Sequence, residues 1–127
     1  MIDRYINYVV WRRIMHELGI LYHVVEKLDE IKEAEKLSII DSVTLEVGEL
    51  SAVVPSFLEE CWPAAVYKTT YVDTKLIIES IEGIVNCKSC YKNYNLMKAN
   101  GVCPHCGEEK STLVSGDEFN IKEICAM

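Results

Sequence analysis

Two cysteine pairs, "CKSC" at Cys87 to Cys90 and "CPHC" at Cys103 to Cys106, constrain this chain more than any other feature. They lie in a stretch, 86–111, that is short of large aliphatic residues and rich in Lys, Asn, Gly and Cys, so it cannot build a hydrophobic core alone. Each Cys-x-x-Cys can turn so that two thiolates face one point. Two such turns supply the four soft ligands of a tetrahedral zinc site. The twelve residues between the inner cysteines suffice for a short hairpin that brings the turns together. Metal binding then supplies the folding free energy that the segment lacks. The competing reading is two disulfides or a redox pair. A redox Cys-x-x-Cys usually comes singly at a helix start, which favours zinc. With all four positions filled by protein the metal is structural, since catalysis needs an open position. His105 reads as a surface residue, Cys61 as a small buried hydrophobe and Cys125 as a thiol near the terminus.

The remainder reads as one α+β domain. Leu18, Leu21, Val24, Val25, Leu28 and Ile31 recur at helical spacing, with Glu26, Lys27, Glu30, Lys32 and Glu33 on the other face, which predicts a helix from Leu18 to about Lys36. Val43, Leu45 and Val47 alternate with Thr44, Glu46 and Gly48 as in a half-buried strand. A second helix is expected around "PSFLEECWPAAV", with Pro55 in its first turn and Pro63 kinking or restarting it. "TKLIIESIEGIV" reads as a second strand and "GDEFNIKEI" as a third, pairing with the first two. The fold class is therefore α+β: two helices on a small three-stranded sheet with an inserted zinc-ribbon-like hairpin. The expected domains are residues 15–84 with 114–127, and the insert 85–113. Residues 1–14 form an N-terminal extension with two readings: either Met15 is the true start and the extension is not part of the native protein, or the extension is real.

Charge and motifs exclude several functions. The net charge of −7 opposes a nucleic-acid coat and mildly favours a cationic or basic partner. Through Gly83 there are fifteen carboxylates against eight basic residues. A nucleic-acid-associated zinc ribbon is the alternative reading, resting on Lys88, Lys92, Lys98 and Lys110, with Tyr91 and Tyr94 as candidate stacking groups. Those lysines have a simpler role in offsetting the double negative charge of a tetrathiolate zinc. The opening "MIDRYINYVVWRRI" lacks the layout of a secretory signal, and no run approaches the roughly 20 apolar residues of a membrane span. A cytoplasmic protein is expected, with neither membrane nor nucleic acid as partner. There is no paired nucleophile and base and no glycine-rich phosphate loop, so the protein is not expected to be an enzyme.

The triplet Met15-His16-Glu17 heads the first predicted helix. On its own, a histidine there is an exposed polar residue and a glutamate is favoured by the helix dipole. However, "MHELGI" heading a helix, "VTLEVGELSAVVPSFLE", the paired cysteines and the late "SGDEFNIKEI" occur in this order. In that arrangement the chain resembles the hydrogenase-maturation nickel chaperones, the HypA/HybF family, from Met15 to about Ile124. The resemblance implies a non-enzymatic metallochaperone carrying Ni(II) as cargo beside a structural zinc. It implies nickel held in a square plane by nitrogens at Met15 (its amine), His16 (backbone nitrogen and imidazole) and Glu17 (backbone nitrogen or a supporting role). It also implies delivery to the precursor of the nickel–iron hydrogenase large subunit, in some members to urease, together with a nickel-binding GTPase. Zinc would sit on Cys87, Cys90, Cys103 and Cys106. Two departures stand out. Fourteen residues precede Met15, placing its nitrogen in a peptide bond, and Tyr91 follows the first cysteine pair where the family often has glycine.

Overall fold

The computed structural model describes the backbone from Asn7 and the side chains from His16 through Met127. In chain order its elements are α1 (Asn7–Ala34), β1 (Ile40–Gly48), α2 (Pro55–Val66), β2 (Lys75–Ile81), β3 (Ile84–Cys87), β4 (Asn93–Asn95), β5 (Ser111–Ser115) and β6 (Phe119–Ala126). The two helices and the expected three-stranded sheet are present, the sheet in the order β2-β1-β6. A second three-stranded sheet, β4-β3-β5, carries the first cysteine pair at the end of its central strand. Among the described residues, no helix is long and apolar enough to cross a membrane.

Two elements differ from expectation. The first helix starts at Asn7 rather than near Leu18, so Met15-His16-Glu17 falls inside it and not at its entrance. Neither proline nor glycine interrupts the chain from Asn7 to Leu18, and a helix once nucleated propagates cheaply through such a stretch. The expected single strand "TKLIIESIEGIV" breaks at Glu82-Gly83 into β2 and β3, which belong to different sheets. Pro63 does not end α2, which runs on to Val66.

The chain divides into two compact units. One comprises the chain through Thr44, Val54–Ile77 and Ile121–Met127. Its core is formed by Leu21, Val24 and Leu28 of α1 and by Leu58, Cys61, Trp62, Ala65 and Val66 of α2, with Ile40, Val43 and Tyr71. Each buried polar tip has a partner. The Trp62 indole N–H donates to the Thr74 carbonyl at 2.9 Å, and Thr74 Oγ1 donates to the Ile40 carbonyl at 2.7 Å. The Tyr71 hydroxyl donates to Asp29.

The other unit comprises Leu45–Val53 and Ile78–Asn120. It is wider than 85–113 because Leu50, from the segment after β1, packs against the cysteine-bearing core. Three glycines make this possible. A Cβ on Gly48 would lie 2.0 Å from the Gly116 carbonyl oxygen, and one on Gly116 would lie 2.5 Å from the Gly83 Cα. Gly116 also sits at φ +110, in the region that favours glycine. Backbone thus lies on backbone where β1 ends, where β2 passes into β3 and where β5 passes into β6. The Leu50 N–H donates to the Gly116 carbonyl at 2.7 Å, Gly48 N–H to Glu118 O at 2.8 Å and Glu49 N–H to Ile81 O at 2.9 Å.

Gly48→Ala should destabilise the zinc-loaded protein by about 3 kcal/mol, the upper range for forcing atoms into a packed site. Gly19→Ala, in α1 with open space around it, should stabilise by up to about 1 kcal/mol. Chemical unfolding of both variants provides the check, and equal effects would refute the glycine junction.

Candidate metal centres

The two cysteine pairs form the same turn twice. The Tyr91 N–H donates to the Cys87 carbonyl at 3.0 Å, and the Gly107 N–H donates to the Cys103 carbonyl at 2.9 Å. Each turn is closed from outside, Cys87 N–H to Lys92 O at 3.0 Å and Cys103 N–H to Glu108 O at 2.9 Å. In both turns the residue after the second cysteine is left-handed: Tyr91 at φ +60 and Gly107 at φ +81. This explains why glycine suits the position that Tyr91 fills. The turns aim backbone donors at sulfur: Ser89 N–H and Cys90 N–H reach Cys87 Sγ at 3.3 and 3.4 Å, and His105 N–H reaches Cys103 Sγ at 3.4 Å.

The four sulfurs converge. Cys87 and Cys106 Sγ are 3.5 Å apart, Cys90 and Cys103 Sγ 3.7 Å, and all four lie within 4.8 Å of one another. A tetrahedron of zinc–sulfur bonds has sulfur–sulfur edges of about 3.8 Å, which this cluster fits, whereas a disulfide would need about 2.05 Å. The donor set is four thiolates and nothing else, as a closed structural zinc site requires. Two ligands, Cys87 and Cys103, are themselves core residues, packed with Val85 and Tyr94 and flanked by Leu50, Cys90, Leu96 and Ala99. A core this small depends on the metal that joins its ligands. The buried Tyr94 is not available to stack on a base, which removes one of the two aromatic contacts of the nucleic-acid reading.

Electrostatics prepare the cluster for a cation. The N–H of Cys90, with that of Ser89 and the neighbouring thiols, holds the Cys87 thiol down at about 6. Cys106 receives the Glu108 N–H, which favours its thiolate, but hydrogen bonding to Cys87 and burial push it up to about 11. Zinc binding must expel the protons these thiols still hold.

The Met15-His16-Glu17 segment is built differently. Met15 contributes helix backbone, and its side chain lies outside the described residues. His16 Nδ1 lies 2.7 Å from Glu17 Oε1, with the imidazole 56% exposed and the glutamate side chain fully buried. Glu17 Oε2 accepts the Val54 N–H at 2.8 Å. Across α2 the Cys61 thiol is pushed up by burial and by the negative charges of Glu17 and Glu60. Among the described residues the four cysteines are the one group of three or more metal-binding side chains within reach of one another, so His16 and Glu17 form a pair and not a cage. The burial of Glu17 was missed by sequence reasoning, although a signal existed: Glu17, Leu21, Val24 and Leu28 share the apolar face of α1 at helical spacing.

Tyr91→Gly should stabilise the zinc-loaded protein by about 1 kcal/mol, the cost of a left-handed non-glycine residue, in urea unfolding at a fixed free-zinc concentration. Zinc affinity should fall as pH falls: the Cys87 thiolate persists at pH 7 and protonates as pH drops through about 6, so protons then compete with the metal. Chelator competition at pH 7.5 and 5.5 should show at least about a fourfold loss, and a flat profile would refute a thiolate site.

Comparison with known proteins agrees with the fold. The family model described as hydrogenase/urease nickel incorporation, metallochaperone, hypA, matches residues 15–126. The hydrogenase maturation factor HypA of Geobacter metallireducens is 36% identical over 110 residues, 87% of this chain and 97% of that protein. The factor of the same name from Nostoc sp. is 33% identical, over 87% of this chain and 94% of its own. The solution structure of the Ni metallochaperone HypA from Helicobacter pylori superposes with a TM-score of 0.61 at 18% identity, covering 87% of this chain and 97% of that one. A second HypA solution structure gives a TM-score of 0.63 at 20% identity over 89% of this chain and 97% of its own, and at these identities both speak for the fold alone. On the family match from Met15 to Ala126 and these relatives, the chain belongs to the HypA family of hydrogenase and urease nickel-incorporation metallochaperones.

Proposed function

We propose that this protein is a cytoplasmic nickel carrier. It takes up Ni(II) at Met15-His16-Glu17 and delivers it, with a nickel-binding GTPase, to the precursor of the nickel–iron hydrogenase large subunit. The observation that carries this reading is that the family match begins at Met15, which makes Met-His-Glu its first three residues. Zinc on Cys87, Cys90, Cys103 and Cys106 has a structural role in the cysteine-bearing unit, and the nickel site belongs to the helical unit. Nothing in this role requires catalysis.

The nitrogens decide whether such a site can form. In a helix running from Asn7, the N–H groups of Met15, His16 and Glu17 belong to the i to i−4 ladder. They cannot bind a metal without unwinding that turn. In a chain whose first residue is Met15, the same groups are the unsatisfied first donors of the helix, and the Met15 nitrogen is an amine. A square plane of nitrogens, which suits Ni(II), is accessible in the second case. The ligands are then the Met15 amine, the His16 backbone nitrogen and imidazole, and the Glu17 backbone nitrogen.

Nickel titrations of two zinc-loaded chains, one starting at Met1 and one at Met15, test this through the absorption of square-planar Ni(II). The Met15 chain should bind one nickel at least about a hundredfold more tightly, two powers of ten at about 1.4 kcal/mol each. His16→Ala in that chain should abolish binding and leave zinc content unchanged. Equal binding by both chains would refute the terminal-amine site, and binding by neither would refute the carrier reading.

A further inference from the structure

α2 begins without a cap of its own. Its N-cap residue is Val54, which makes no side-chain cap hydrogen bond, and Pro55 follows it. The first N–H groups of a helix lack intrahelical acceptors, and a negative charge is favoured beside them. Here the acceptor comes from 37 residues upstream, where Glu17 Oε2 takes the Val54 N–H at 2.8 Å. In a capping box this bond is made by a residue of the same helix. Glu17 performs the same office from α1. The entrance it holds is not relaxed: Ala52, two residues before Val54, sits at φ +66.

The other oxygen of this carboxylate is committed as well, since Oε1 lies 2.7 Å from His16 Nδ1. Nδ1 is also the imidazole nitrogen that can close a six-membered chelate ring with the histidine's own backbone nitrogen, because Nε2 lies on the far side of the ring. A metal held by that chelate and the Glu17 hydrogen bond therefore compete for one atom. When the metal wins, a fully buried carboxylate loses a donor. Buried polar groups are costly to leave short of partners, so the carboxylate must resettle on those that remain. One of these is the Val54 N–H.

We infer that Glu17 is a positioning residue that links metal occupancy at His16 to the N-terminus of α2. The identity of the metal rests on the nickel reading above, whereas the His16–Glu17–Val54 relay does not. In the metal-free protein the relay orients the exposed imidazole and caps α2. Metal on Nδ1 breaks the first contact and alters the second, so the entrance of α2 differs between loaded and empty carrier.

The test is the amide proton shift and hydrogen exchange of Val54, read by NMR in the zinc-loaded full chain without nickel. His16→Ala should move the Val54 resonance and speed its exchange at least threefold. In a Glu17→Gln background the side-chain oxygen still accepts the Val54 N–H while the charge that draws the Nδ1 proton is gone, so the same histidine change should have a clearly smaller effect. Glu17→Ala should speed Val54 exchange about tenfold; if that variant does not fold, the Glu17→Gln comparison decides. Nickel, added to whichever chain start binds it, should reproduce the His16→Ala signature in the parent protein and only weakly with Glu17→Gln. A Val54 amide unmoved by His16→Ala, or unmoved by nickel whose binding is confirmed by absorption, would overturn the relay. If no nickel binds to either chain, the carrier reading fails, while the His16→Ala comparison still settles whether the relay exists.

Discussion

Four sulfur atoms drawn to one point are the constraint from which the cysteine-bearing unit follows. Each pair must turn within four residues, so the residue after each second cysteine becomes left-handed, as Tyr91 and Gly107 do. The sulfurs must also face inward, so two of them replace aliphatic side chains in the core beside Val85 and Tyr94. The strands around them are short because they need only bring the two turns together. Metal coordination substitutes here for the apolar area that a segment this size cannot bury.

A second constraint lies outside the sulfurs. At Gly48 and Gly116 a side chain would strike backbone and at Gly83 it would strike the Leu50 side chain, and at these glycines the chain passes from one sheet into the other at two places. The motif "VGEL" is explained by this geometry. Its glycine allows the contact, and its leucine reaches the cysteine-bearing core. The helical unit is ordered by polar groups as well as by its apolar stripe. Trp62, Thr74 and Tyr71 each hand a buried hydrogen to a fixed acceptor, and Glu17 binds one residue on each of two helices.

These arrangements suit a protein that holds one metal permanently and another briefly. A closed thiolate tetrahedron exchanges its ion reluctantly, whereas the proposed nickel site, with its half-exposed imidazole, is open to transfer. The buried carboxylate beside that imidazole gives the open site a route into the packed part of the helical unit. A carrier whose surface changes on loading can be told apart by its partners in the two states.

Much was legible in the residues themselves. The Cys-x-x-Cys spacing determined the zinc cluster because ligand geometry is local to each turn. The 3.6-residue and two-residue periodicities determined both helices and the strand β1, since burial of one face is written directly in the pattern. What the periodicity could not place were the start of α1 and the break between β2 and β3. The first depends on propagation through residues with no apolar stripe. The second depends on which distant backbone lies against Gly83. The role of Glu17 was likewise decided only in three dimensions. Its position on the apolar face of α1 is visible in the sequence, but a buried carboxylate is tolerable only where donors meet it, and the Val54 N–H arrives from 37 residues away. Sequence alone thus determined the four-cysteine cluster and the layers. Tertiary structure decided which long-range backbone groups complete them, because a hydrogen-bond partner is selected by position in space and leaves no periodic trace in the chain.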